Sequence, residues 1–240
     1  MSRPQNVPAR PEPTAPTVLS GTPARTAAPA RTTAPAPAAQ APLAHVPRQS
    51  ATLPDASPAP AEPDIRIFDG AAVTAAADRW ARVYEEVYAQ ALGLPDHSDP
   101  PISERLLRHA TRPGFSLVAA FDGEDVAGFL YGYTLPPDSL WWDGLTPDPG
   151  PEFTREYPQR TVGLCELLVS PRRRRSRVAL TLFETFLAAR TEERATGLVA
   201  DDNSVMLATY AKYGFEMVGR MEPYPGWRPH VMVVRQLRPS

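Results

Sequence analysis

Residues 64–240 read as an α/β domain in which one mixed sheet is covered by helices. Three observations predict this. Apolar alternation of period two and apolar stripes of helical period follow one another in the order β-α-α-β-β-loop-β-α-β-α-β-β. A short apolar run, Leu164 to Val169, changes at Ser170-Pro171 into a helical stripe beginning at Val178. Residues 1–63 hold 15 of the 30 prolines and the first aromatic residue is Phe68, so ordered structure should begin only after them.

The Pro/Ala/Thr-rich stretch 1–63 is expected to be a disordered, partly polyproline-II tail. Ile65 to Phe68 alternates and reads as a first strand. Ala71 to Leu92 carries Val73, Ala77, Trp80, Val83, Tyr84 and Val87 on one stripe and reads as a helix stopped by Gly93 and Pro95. Asp96 to Pro101 is a polar loop, and Ser103 to Arg112 a second helix closed by Pro113 and Gly114. Phe115 to Phe121 and Val126 to Thr134 form a hairpin through Asp122-Gly123.

Leu135 to Gln159 is a long proline-rich segment containing Trp141, Trp142, Phe153 and Tyr157. It reads either as a pocket wall or as a surface flap pinned by its tryptophans. The stripe Val178, Leu182, Phe183, Phe186, Leu187 predicts a helix of about four or five turns. Thr196 to Ala200 is a strand, Asn203 an N-cap for a helix over Ser204 to Tyr213, and Phe215 to Met221 and His230 to Leu237 the last strands.

Arg172, Arg173, Arg174, Arg175 and Arg177 crowd the N-terminus of the helix that starts at Val178. Unpaired amides and the macrodipole make that end attractive to an anion, and a phosphate-bearing cofactor would relieve the arginines' mutual repulsion. A nucleic-acid patch is the competing reading of the run, opposed by a net charge of −2 for the chain.

Two segments in this order resemble the GNAT superfamily of acyl-CoA N-acyltransferases, over roughly residues 64–240. LLVSPRRRRSRVALTL is similar to the acetyl-CoA motif Gln/Arg-x-x-Gly-x-Gly/Ala, aligned as Arg174-Arg175-Ser176-Arg177-Val178-Ala179. DNSVMLATYAKYGFEMVG matches the family's later segment through Asn203, Tyr210, Gly214 and Phe215. The resemblance implies a mostly antiparallel sheet and acetyl-CoA as co-substrate. It also implies a small-molecule or protein amine as acceptor. By the same resemblance, Leu168 and Val169 offer strand amides to the acyl carbonyl and pantetheine. The amides from Arg174 to Ala179 would receive the pyrophosphate. Where the family has glycine this chain has Arg177, and no glycine occurs between Gly163 and Gly197. A GNAT fold with impaired CoA binding, acting as a binding or scaffold module, is therefore the alternative.

For catalysis, Tyr210 is the proton donor that the resemblance implies, and a phenol suits a thiolate leaving group. Its other reading is a core tyrosine. Glu166 is unexpected in an apolar strand. Alternation places it on the face of Leu164 and Leu168, either as a general base of raised pKa or as the partner of a nearby arginine such as one on the following helix. Asn203 could touch cofactor, but an N-cap needs no further role. His109 and His230 read as structural, and the four histidines have no metal-ligand spacing. Cys165, the only cysteine, reads as a small buried hydrophobe. No stretch approaches a membrane span and Met1 to Arg10 lacks an apolar core, so a cytoplasmic protein is expected.

Overall fold

The computed structural model describes residues 62–238. The tail expected over residues 1–63 lies, as far as residue 61, outside the described residues. Seven strands form a single sheet in the order β1-β2-β3-β4-β5-β7-β6. They are β1 Asp64–Phe68, β2 Ser116–Asp122, β3 Asp125–Thr134, β4 Thr161–Val169, β5 Arg194–Ala200, β6 Glu216–Met221 and β7 His230–Gln236. Every neighbouring pair is antiparallel except β4 and β5. That parallel step requires a crossover, made by α6 (Val178–Ala188).

The sheet separates two cores. On one face α6 buries Val178, Leu182, Phe183 and Phe186 against Val118, Leu130, Leu164 and Leu167, joined by Tyr210 and Phe215. On the other, Val73 of α1 (Gly70–Ala75), Trp80 and Tyr84 of α2 (Ala77–Val87), and Ile102 and Leu106 of α4 (Ile102–Ala110) pack on Leu117, Phe129, Tyr131 and Leu168. α7 (Ser204–Lys212) lies on the α6 side, capped by Asn203, whose Oδ1 accepts from the Met206 amide at 3.1 Å. Gly214 follows at φ +77°, a left-handed stop that favours glycine.

Several elements differ from expectation. The helix expected over 71–92 breaks at Ala76 and ends at Val87. Val73 and Trp80, on either side of the break, still pack in the same core, as their seven-residue spacing requires. Asp96 to Pro101 is not all loop, because Pro95 opens a one-turn helix, α3 (Pro95–Ser98). α6 has 11 residues, about three turns rather than four or five. It stops where Arg190 turns back to donate to the Gly114 carbonyl (2.8 Å) and to pair with the buried Glu192.

The long segment after β3 carries a further turn, α5 (Pro151–Thr154). It divides between its two readings. Trp142 is the pin: its Nε1 donates to Glu156 Oε1 at 2.8 Å, and Glu156 also accepts from Thr161 (2.8 Å) and Arg194 (2.9 Å). The Arg194 guanidinium lies 4.7 Å from the ring centres of both Trp142 and Phe153. Trp141 faces the other way, into a cavity.

Candidate active site

β4 and β5 pair over only four registers, Thr161↔Arg194 to Leu164↔Gly197, although β4 continues to Val169 and β5 to Ala200. Beyond Leu164 the strands part. The cause is local: the β3–β4 register shifts between Tyr131↔Glu166 and Gly132↔Leu164, so Cys165 is the extra residue of a bulge that bends β4. Glycine permits it, since a Cβ on Gly132 would lie 2.3 Å from the Gly163 carbonyl oxygen.

The bulge also re-aims Glu166. Strict alternation would put it with Leu164, but Leu164 sits in the α6-side core whereas Cys165 and Leu168 sit in the other. Cys165 and Glu166 both face α4, so Glu166 shares a face with Leu168 and not with Leu164. Its arginine partner is accordingly Arg105 of α4, at 3.4 Å, rather than a residue of the helix that follows.

A cavity of about 700 Å³ fills the gap. Glu166 enters it from β4 and Tyr210 from α7 on the opposite side of the sheet; Trp141, His97, Asn203 and Arg105 also line it. Burial pushes the Glu166 carboxyl up to about 7, with Arg105 pulling the other way. Burial, then the negative charge of Glu166, raises the Tyr210 phenol above its ordinary value, so it stays protonated at neutral pH. The Tyr210 ring is held edge-on by Phe183 (5.2 Å) and Phe215 (4.9 Å).

Behind Glu166 stands a buried polar chain. Arg105 donates to the Tyr84 hydroxyl at 2.8 Å and to the Asp96 carbonyl at 3.0 Å. Since Tyr84 Oη accepts from Arg105, its proton goes to His97 Nδ1, 2.6 Å away. Asp96 is bound by Arg228 at 2.6 Å; burial pushes its carboxyl up, but the Arg228 hydrogen bonds hold it below the usual carboxylate range. Sequence reasoning missed Arg105, Asp96, His97 and Arg228. One signal was legible: Ile102, Arg105, Leu106, His109 and Ala110 share a stripe of α4, so Arg105 interrupts an apolar face. His109, read as structural, lines the cavity and bonds Tyr131 Oη at 3.3 Å. His230 also lines it, donating from Nδ1 to the Arg228 carbonyl at 2.7 Å. Cys165 is half-buried, with its thiol raised above the ordinary range by burial.

The Arg-rich turn opens with one 3-10 turn over Pro171–Arg173. Two of its arginines are tied to the scaffold: Arg173 forks onto Asp122 (Nε to Oδ2 2.6 Å) and Arg172 lies 3.7 Å from Glu86. Arg174, Arg175, Ser176 and Arg177 are exposed. Arg177 takes φ −81°, ψ 0°, a conformation open to any residue; the left-handed position is Arg175, at φ +62°. No side chain caps α6 at Arg177. Ser176 Oγ takes the Val178 amide at 3.3 Å, and the Thr181 amide closes onto the Arg177 carbonyl. Ala179 and Leu180, the next amides of the first turn, have no acceptor within the helix. On β4 the Ser170 amide bonds the Ala127 carbonyl of β3, so alternation turns the Val169 and Leu167 amides toward the gap and the Leu168 amide toward β3.

The sheet parts at its one parallel pair, and of the expected cofactor-binding residues Asn203 lines the cavity there, whereas Leu168, Val169 and Arg174 to Ala179 do not. The chain belongs to the GNAT acetyltransferase family, whose model matches residues 79–215, a span that includes Arg105, Glu166 and Tyr210. Among solved structures it is similar to an aminoglycoside 6'-acetyltransferase type Ii, with a TM-score of 0.52 and 18% identity over 74% of this chain and 99% of that one. It is also similar to smu.2055 from Streptococcus mutans UA159 (TM-score 0.53, 14% identity, 73% and 99% covered). A third is the ribosomal-protein-S18-alanine N-acetyltransferase from Escherichia coli (0.51, 11%, 74% and 96%). At these identities the likeness is one of fold. No curated protein sequence matches.

Proposed function

We propose that this chain is an N-acetyltransferase that moves an acetyl group from acetyl-CoA to an amine of a small molecule or protein. One observation carries the reading. Glu166 and Tyr210, a carboxyl near neutrality and a protonated phenol, reach a single cavity from opposite faces of the sheet, where β4 and β5 part. A carboxyl titrating at about 7 accepts a proton from an incoming ammonium at neutral pH. The freed nitrogen attacks the thioester carbonyl, whose oxygen is held by the Val169 amide, with Leu167 beside it. The C–S bond breaks as the nitrogen gives its second proton to solvent, and the thiolate takes the Tyr210 proton. Solvent then restores the phenol and accepts the proton from Glu166.

Of the amides from Arg174 to Ala179, those of Arg174, Ser176 and Val178 are bonded within the turn, which leaves Arg175, Arg177 and Ala179 to suit a pyrophosphate. Ala179, without a capping partner, is the amide best fitted to it. Asn203 and Leu168 move out of contact roles in this reading, the first as a cap, the second as an apolar wall. A cytoplasmic site of action accords with a lone cysteine. Among the described residues no helix is long and apolar enough to cross a membrane.

Acetyl-CoA at 100 times its dissociation constant should stabilise the folded chain by about 2.7 kcal/mol in thermal unfolding. No shift with acetyl-CoA or CoA on folded protein would refute the assignment. Arg177→Gly separates this reading from a fold that has lost its cofactor. A change in CoA affinity below about threefold fits an exposed side chain that obstructs nothing, whereas a large gain favours the scaffold alternative.

A further inference from the structure

We propose that the acceptor is a zwitterionic amine of the amino-acid class, its carboxylate held by Arg108 and Arg112 while its ammonium is delivered to Glu166. The inference rests on the acetyltransferase reading above and deepens it.

Four arginines and four acids line the cavity: Arg105, Arg108, Arg112 and Arg228, with Asp96, Asp138, Asp143 and Glu166. Two pairs are internal. Arg105 stands 3.4 Å from Glu166, and Arg228 binds Asp96 at 2.6 Å and Asp202 at 3.0 Å. The remaining charges are segregated. Arg108 stands in the last turn of α4 and Arg112 two residues past its end, and both line the cavity. Neither side chain makes an ion pair or hydrogen bond with any described residue. Asp138 and Asp143 belong to the long segment after β3 and are likewise unpaired among the described residues.

His109, between the two arginines in sequence, reports the local field. Burial, then Arg108, Arg105 and Arg112, hold its imidazole down at about 4, and no carboxylate offsets them. The α4 wall is therefore positive where it meets the cavity. Two cavity-lining guanidinium groups offer donor forks that suit a carboxylate. Asp138 and Asp143 attract the amine of the same molecule as an ammonium, and Glu166 takes its proton. A polycationic amine would set like charge against the α4 wall, and a simple monoamine would leave both arginines without a counter-ion.

The test uses the full chain, acetyl-CoA and a CoA-thiol release assay. Acceptors are the proteinogenic amino acids, their methyl esters and the amines lacking the carboxyl group. The expected result is a kcat/KM for at least one free amino acid that exceeds that of its methyl ester by ~30-fold or more. The double variant Arg108→Gln, Arg112→Gln should close that gap, through the free acid's KM rather than kcat, with an unchanged melting temperature. Equal rates for acid and ester overturn the proposal. So does turnover confined to carboxyl-free amines, turnover of no panel member by protein that binds acetyl-CoA, or a preference that survives the double substitution. Absence of an acetyl-CoA thermal shift is a different failure: it removes the acetyltransferase reading and this inference with it.

Discussion

Glu166→Gln should make this protein more stable at alkaline pH while removing its proposed base. Glutamine copies the shape and hydrogen bonding of the protonated carboxyl and cannot ionise. In the folded chain the Glu166 carboxyl sits at about 7, against an ordinary 4.5, because burial outweighs the attraction of Arg105. Below pH 4.5 both folded and unfolded states hold the proton and the residue contributes no pH dependence. Between 4.5 and 7 the unfolded chain has released it and the folded chain has not, so stability falls as pH rises. Above 7 the cost is complete, about 3 kcal/mol at 1.36 kcal/mol per unit of displacement. Urea unfolding of the wild type and Glu166→Gln should therefore diverge by ~2.5 kcal/mol between pH 5 and pH 8.5, with the variant the more stable. In parallel, wild-type kcat/KM should rise through about pH 7, and the variant should lose about two orders of magnitude and that inflection. A structural ion pair with Arg105 predicts the reverse, a variant destabilised most where Glu166 is charged. Glutamine costing stability at pH 8.5 would refute the argument.

Other substitutions test the remaining parts. Tyr210→Phe should lower kcat by about 100-fold with stability within ~1 kcal/mol, since its hydroxyl has no hydrogen-bond partner among the described residues and its ring contacts are kept; an unchanged kcat would remove it as the acid. Gly197→Ala brings a Cβ to 3.1 Å from the Tyr210 oxygen and should lower kcat more than it raises KM, read by steady-state kinetics. Glu156→Ala strips Trp142, Thr161 and Arg194 of their shared acceptor and leaves a buried guanidinium unpaired. It should cost ~3–5 kcal/mol in denaturant unfolding, and wild-type stability in that variant would show that the long segment is held some other way.

Most elements were legible because their signals are local. The β2–β3 hairpin follows from Asp122-Gly123, with Gly123 at φ +63°, and the α7 cap from Asn203. The errors fall where a distant contact overrides a local pattern. Nothing near Ala76 in sequence marks the break that separates α1 from α2. The length of α6 depends on Arg190 meeting Gly114 and Glu192. Glu166 was legible as a residue out of place, but its direction was not, because a bulge adds one to the alternation count and shows itself only in the register with β3.

The sequence by itself determined that five arginines crowd the turn between β4 and α6, and that Glu166 stands out from an apolar strand. Tertiary structure alone decided that Glu166 and Tyr210 share a cavity. β4 and β5 separate after Leu164↔Gly197, and only that separation lets a side chain on one face of the sheet meet a side chain on the other. It likewise chose Arg105 over the nearer arginines as the partner of Glu166. Propensity and periodicity act over a few residues, whereas a pKa near 7 depends on what surrounds a carboxyl in three dimensions.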